Sequence, residues 1–198
     1  MNSGRIAELL QPFLHTPIAA RQVCQSGPAT AGEESVVLSP AQLNRISTYI
    51  DILVRWNARI NLTSVRDPEE IVTRHFGESL FAARNLFPNN AEVGNAEVGN
   101  AHVGTAHVGT AAPGCPAERS SAAVADIGSG AGFPGLPIKL WAPHIALTLI
   151  ESNHKKATFL REVTRALTLT DVNIQNARAE ILTGRTFNVV TLRAVERF

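Results

Sequence analysis

The stretch Val124-Ala125-Asp126-Ile127-Gly128-Ser129-Gly130-Ala131-Gly132-Phe133-Pro134-Gly135 runs an apolar segment into an acid and then a glycine-rich turn. A turn of this kind, leaving a strand and feeding a helix, lets a ligand touch main chain. Gly128, Gly130 and Gly132 remove side chains there and accept positive φ. Counted from Gly128, a dinucleotide fingerprint G-x-G-x-x-G puts its last glycine where Phe133 stands, and the third glycine arrives early at Gly132, which disfavours NAD. S-adenosylmethionine has no pyrophosphate to place at the helix start, and Asp126 suits its cationic amino and sulfonium groups. An ordinary strand-to-helix turn stays open as the plainer reading.

Downstream, strands alternate with helices, the pattern of an α/β fold. The expected order is strand Val124–Ile127, a helix near Pro134–Trp141, strand Ala146–Ile150, a helix from Ser152 to about Leu167, strand Asn173–Ala177, a short helical turn and strand Phe187–Leu192. Glu151 closes the second strand 23 residues after Gly128, where an acid hydrogen-bonds ribose hydroxyls in Rossmann-type sites. A solvated carboxylate at a helix start is the alternative.

Upstream, Ser39-Pro40-Ala41-Gln42 is a capping box with proline at the first helical position, and Leu43, Ile46, Ile50, Leu53 and Val54 follow at helical spacing. Asp67-Pro68-Glu69-Glu70 repeats the start signal before Val72, Phe76, Leu80, Ala83 and Leu86-Phe87. Between these helices and the first strand, AEVGN and AHVGT each occur twice in succession from Ala91 to Thr110. One valine per repeat buries too little surface to offset chain ordering, so a disordered insertion is expected over a small solenoid, with no metal site at His102 and His107. The expected units are 1–38 (a helix over Ile6–Leu14, then linker), 39–88 (helical subdomain), 89–122 (repeat insertion) and 123–198 (cofactor-binding domain).

The chain has 198 residues and 44% apolar content, enough for one substantial core. Lys and Arg total 18 against 17 Asp and Glu, so a nucleic-acid footprint has to be a local patch. Cys24 and Cys115 suggest neither a disulfide framework nor zinc, which fits a reducing cytoplasm. Glu8 and Pro12 interrupt the N-terminal apolar patch before it could act as a secretory segment, and no run approaches the roughly 18 apolar residues of a membrane span.

Three blocks together resemble the bacterial 16S ribosomal RNA guanine-N7 methyltransferase family, also called glucose-inhibited division protein B. They are Trp56-Asn57-Ala58-Arg59-Ile60-Asn61-Leu62-Thr63-Ser64-Val65-Arg66-Asp67 with Arg74-His75, then Asp126 to Gly135, then Glu151-Ser152-Asn153-His154-Lys155-Lys156 with Phe159-Leu160-Arg161. The resemblance runs over most of residues 39–198. It implies an α/β, Rossmann-like class I S-adenosylmethionine-dependent methyltransferase with an N-terminal helical subdomain. It also implies that Gly128 and Phe133 contact the cofactor, that Ala179-Glu180 hold its adenine end, and that Arg193 belongs to the same site, to which Gly130 and Glu151 are assigned by their own positions. By their residues alone, Ala179-Glu180 read as a helix start and Arg193 as a strand-end cation.

Two departures from the family pattern carry expectations of their own. The repeats replace a short turn and should form a tolerated surface excursion. The chain stops soon after the fourth strand, where the family continues, so a truncated product with an incomplete sheet and an unpaired edge is expected.

The resemblance implies 16S rRNA, or the small ribosomal subunit, as partner, with no membrane, no metal and a monomeric, cytoplasmic chain. Guanine N7 presents a lone pair, so its methylation needs alignment rather than proton removal, and no catalytic acid or base is nominated. Arg55, Arg59, Arg66, Arg74, His75, Lys155, Lys156 and Arg161 are the candidate phosphate contacts, against a solvated face as the plain alternative. Trp56 is expected in the core, and Asn61 and Thr63 read equally as turn residues. A non-catalytic cofactor- or RNA-binding remnant is the competing function; a small-molecule methyltransferase or a dinucleotide oxidoreductase is a third.

Overall fold

A computed structural model describes residues 1–15, 37–88, 122–181 and 184–193. The expected linker, the repeat insertion up to residue 121, both cysteines and both repeat histidines lie outside the described residues.

Two helices start at the caps that the sequence predicts, Ser39 and Asp67, whereas the first begins at Ser3 rather than Ile6. Helix α1 spans Ser3–Leu14 and α2 spans Pro40–Asn57. At α2 the Ser39 Oγ accepts from Gln42 N while Gln42 Oε1 accepts from Ser39 N, closing the capping box. Asp67 caps a short turn α3 (Pro68–Glu70) that continues through a π-helical segment, Ile71–Gly77, into α4 (Glu78–Leu86). One straight α-helix was expected there. A π segment widens the turn, and such segments recur at functional sites.

The α/β half follows in the order β1 (Ala123–Ile127), α5 (Gly135–Trp141), β2 (Ala146–Ile150), α6 (His154–Ala166), β3 (Val172–Gln175), a 3-10 turn (Ala179–Ile181) and β4 (Val189–Leu192). All neighbouring strands pair in parallel, in the spatial order β3-β2-β1-β4, which is the Rossmann-like arrangement expected. The third and fourth strands are shorter than predicted because asparagines take over at their ends. Asn188 accepts from Ala123 N through its side chain before β4 begins, and Asn176 turns its amide onto the carbonyls of Glu151 and Ser152. The described sheet ends at β4, whose Val190 and Leu192 are exposed.

One core joins the two halves. Ile6 and Leu10 of α1, Tyr49 and Leu53 of α2, Phe76 of the π segment and Leu80 of α4 belong to the same buried cluster as Leu136, Leu149 and Phe159. Val54, expected on the buried face of α2, is exposed, and Ile52 is buried instead. Helix α1 therefore packs on the domain rather than trailing from it. Its Arg5 pairs with Glu69 at 2.8 Å in solvent, where screening leaves little net gain. Burial of Ile6 and Leu10, at about 1.5–3 kcal/mol each, decides the docking. Among the described residues no helix is long and apolar enough to cross a membrane.

Gly77 marks the tightest point of that docking, because a Cβ there would stand 2.5 Å from the ring of Phe13. Gly77→Ala should lower stability by about 1–3 kcal/mol in guanidinium unfolding, the usual cost of overpacking. Gly4→Ala, whose Cβ meets nothing nearer than 3.7 Å, should not destabilise.

Candidate functional site

Parallel register brings the sequence-predicted residues to one rim. Ile127 lies opposite both Ile150 and Leu192, and Ile150 opposite Gln175. The next residue on each strand is therefore level with the others: Gly128, Glu151, Asn176 and Arg193. Ala179 and Glu180 lie in the turn that follows β3. The chain passes outward from β1 to β2 and β3, then returns to the other side of β1 for β4. The crevice at such a reversal, beyond the carboxyl ends of the strands, is where open α/β sheets bind ligands.

The glycine loop folds back over β2, with Gly128 N and Ser129 N both donating to Ile150 O at 2.9 and 3.1 Å. Gly128, Gly130 and Gly132 all have positive φ, at 68°, 53° and 88°. Their reasons differ. At Gly130 a Cβ would meet only Gly128 O, at 3.6 Å, which leaves that side open to a ligand. At Gly132 it would strike the Tyr49 hydroxyl and stand 2.6 Å from Leu136 Cδ1, so packing rather than ligand approach demands that glycine. At Gly135 it would stand 2.7 Å from Leu149 and 2.9 Å from the Asp126 carboxylate, the close helix-to-strand contact of a fingerprint's third glycine. Counted from Gly130, the chain does satisfy G-x-G-x-x-G. The spacing that was read against NAD from Gly128 therefore does not discriminate.

The acids do different work from each other. Asp126 is completely buried and accepts from Thr191 Oγ1 at 2.8 Å through Oδ1, so it ties β1 to β4 beneath the loop. Burial pushes its carboxyl up to about 6, against the opposing pull of the Thr191 hydroxyl. Glu151 is 7% exposed, which removes the solvated-carboxylate alternative. Its Oε2 accepts from Gly130 N at 2.9 Å and its Oε1 from Asn153 N at 2.7 Å. Each oxygen keeps a further lone pair for a hydroxyl donor. Asn176, which the sequence reading passed over as strand, holds Glu151 in place through the two carbonyls. Its only sequence signal was an asparagine at a strand's end.

The helical layer roofs the loop. Tyr49 is buried, donates to Ala131 O at 2.5 Å and lies on the Phe133 ring with centroids 5.4 Å apart. Burial and the negative charge of Asp126 push its phenol upward. Phe76 meets the Phe133 ring edge-on at 5.1 Å, and His75 stacks on it at 4.9 Å. With its ring so enclosed, residue 133 offers a ligand chiefly its main chain.

His75, a candidate phosphate contact by sequence, is half-buried against the glycine loop. Burial, with Arg193 and Arg74 nearby, lowers it to about 4, so the ring is neutral near pH 7. Its Nε2 lies 2.8 Å from Thr63 Oγ1. Arg193 donates to Arg74 O and to Glu78, which anchors the end of β4 on the π segment.

The remaining cations divide by their partners. Arg66 donates to Asn57 O and Asn61 Oδ1, Arg74 pairs with Glu70, and Arg55 lies 3.4 Å from Glu162. Arg59, Lys155 and Arg161 are exposed and Lys156 half-buried. Trp56 is half-buried, with its Nε1 donating to Glu162 and its ring against Phe159, a packing role.

Asp126 and His75 should give opposite pH slopes. The raised Asp126 adds stability that is full below its unfolded value of 3.8 and gone above about 6. The lowered His75 adds stability that is full above 6.5 and lost as pH falls through about 4. In guanidinium unfolding between pH 4 and 6.5, Asp126→Asn should steepen the gain of stability with rising pH, and His75→Phe should flatten it.

The chain matches the family described as GidB, rRNA small subunit methyltransferase G, over residues 42–101 and 103–198. Relatives named ribosomal RNA small subunit methyltransferase G include one from Bacillus subtilis (strain 168), 34% identical over 170 residues that cover 83% of this chain and 59% of that one. Another, from Roseiflexus castenholzii, is 38% identical over 164 residues, 80% of this chain and 56% of the relative. A third, from Bacillus pumilus, is 33% identical over 174 residues, 85% and 60% respectively. The chain thus spans about three fifths of the length of these relatives. By the extent of the match and the identity of its relatives, the chain belongs to the rRNA small subunit methyltransferase G family.

Proposed function

We propose that the chain binds S-adenosylmethionine on the sheet rim and directs methyl transfer to N7 of a guanine in 16S ribosomal RNA. The observation that carries this reading is the common level of Gly128, Glu151 and Arg193 beyond the strand ends at the chain reversal, in a chain of this family.

The residues fit such a cofactor. The open side of Gly130 admits it against main chain, Glu151 accepts from ribose hydroxyls, and Ala179-Glu180 lie past β3 to bound the adenine end. S-adenosylmethionine, when bound, supplies a methyl group on a cationic sulfur that a lone pair can attack directly. The protein's task is then to hold guanine N7 in line and to exclude competing water, with orientation worth on the order of 7–11 kcal/mol. No side chain needs to take a proton before attack. An unpaired loop base is the cheaper substrate, since flipping a paired one costs a few kcal/mol.

Lys155, Lys156 and Arg161 on α6, with Arg59, supply for RNA phosphates cations that have no acidic partner among the described residues. Arg66 and Arg74 keep spare guanidinium donors beside their internal partners. On this reading residues 39–88 and the cations of α6 meet the RNA while the strand ends of residues 123–193 hold the cofactor, in a monomeric cytoplasmic chain.

The test is transfer of labelled methyl from S-adenosylmethionine to small ribosomal subunits lacking the modification, with nucleoside analysis. Label in N7-methylguanosine is expected. Cofactor binding without label would leave a binding chain that does not turn over, and no binding would overturn the reading. Gly128→Asp should abolish cofactor uptake by crowding the loop. Lys155→Glu with Lys156→Glu should weaken RNA capture about tenfold or more and reduce its salt dependence.

A further inference from the structure

His75 occupies a place that no phosphate-contact role explains. It is carried by the π segment, its ring lies on Phe133 of the glycine loop, and its Nε2 meets the Thr63 hydroxyl. Among the described residues its buried Nδ1 has no hydrogen-bond partner. A proton on Nδ1 would bury an unsatisfied donor, so the network assigns the proton to Nε2, which donates to Thr63 Oγ1.

Thr63 is itself part of a knot. Its Oγ1 also accepts from Val65 N at 3.2 Å, while the buried Asn57 accepts from Leu62 N and Thr63 N through Oδ1 and donates to Thr63 O. Arg66 closes the same turn from outside by donating to Asn57 O and Asn61 Oδ1. The turn over residues 57–66 thus reaches His75 through a hydrogen bond at Thr63, and His75 reaches the glycine loop by stacking on Phe133. The imidazole can reach Thr63 and lie on Phe133 only while both partners hold their present places.

We propose that His75 is a positioning residue that couples the 57–66 turn to the glycine loop, so that a ligand fixing the loop also fixes the turn. This rests on the reading of the rim as a cofactor site. Whatever the turn's exposed Asn61 and Arg66 engage then favours cofactor retention, and cofactor favours that engagement equally, because coupling between two sites is reciprocal.

Amide hydrogen exchange at Leu62, Thr63 and Val65, with and without saturating S-adenosylhomocysteine, reads the coupling without any RNA. In the wild-type chain exchange should slow by about fivefold or more on saturation, the lower end of ordinary coupling. In His75→Phe, which keeps a ring on Phe133 but loses the donor, the ligand-dependent slowing should fall to within about twofold of none. Thr63→Val should lose it likewise, and Thr63→Ser should keep it, a rescue that a purely structural contribution would not produce. If His75→Phe does not fold, the Thr63 pair decides. Exchange unchanged in the saturated wild type, or slowed equally in Thr63→Val, would overturn the coupling alone. A chain that takes up no S-adenosylhomocysteine would overturn the cofactor reading and the coupling together.

Discussion

A buried phenol oxygen has to find a hydrogen-bond partner. Tyr49, in the middle of α2, finds it in the carbonyl of Ala131, inside the glycine loop. That bond fixes the distance between the helical layer and the sheet rim at the point where a ligand would arrive. The Phe133 ring lies flat under the same tyrosine, and Gly132 is glycine because any Cβ would meet the tyrosine hydroxyl. The loop's shape is therefore set by the helices above it as much as by the strand that leads into it.

The support extends outward in steps. Phe76 packs on both Tyr49 and Phe133, and its π segment is backed by α1 through the Gly77–Phe13 contact. Arg193 ties the end of β4 to that segment from the other side. The rim is consequently held from three directions: the loop's own hydrogen bonds onto β2, the aromatic cluster beneath α2, and the arginine at β4. Glu151 adds the fourth restraint from within, binding the loop's main chain at Gly130 while keeping lone pairs for a ligand.

Local chemistry made much of the fold legible. The Ser39 capping box, the Asp67 cap and the strand-to-glycine transition at Ile127 each depend on neighbours in sequence, and each is where it was expected. The ends of β3 and β4 were misplaced because Asn176 and Asn188 spend their side chains on distant partners, which no local pattern reveals. Tyr49 reads as one more residue of a helix until its partner 82 positions away is known. His75 reads as one more basic residue beside Arg74, and only its burial and the guanidinium groups around it, both of which disfavour the imidazolium, show otherwise. The glycine count misled through its frame. From Gly128 the spacing fails and from Gly130 it holds, and only the contacts of Gly132 and Gly135 tell which glycines serve packing.

The rim beyond β1, β2, β3 and β4 is proposed to act as one cofactor site. Titrating S-adenosylhomocysteine into the isotope-labelled chain and following backbone amide shifts tests it directly. Saturable shifts concentrated at Gly128, Gly130, Glu151 and Glu180 are expected, with α1 unaffected at its solvent face. Shifts centred elsewhere, or none at saturating ligand, would contradict it.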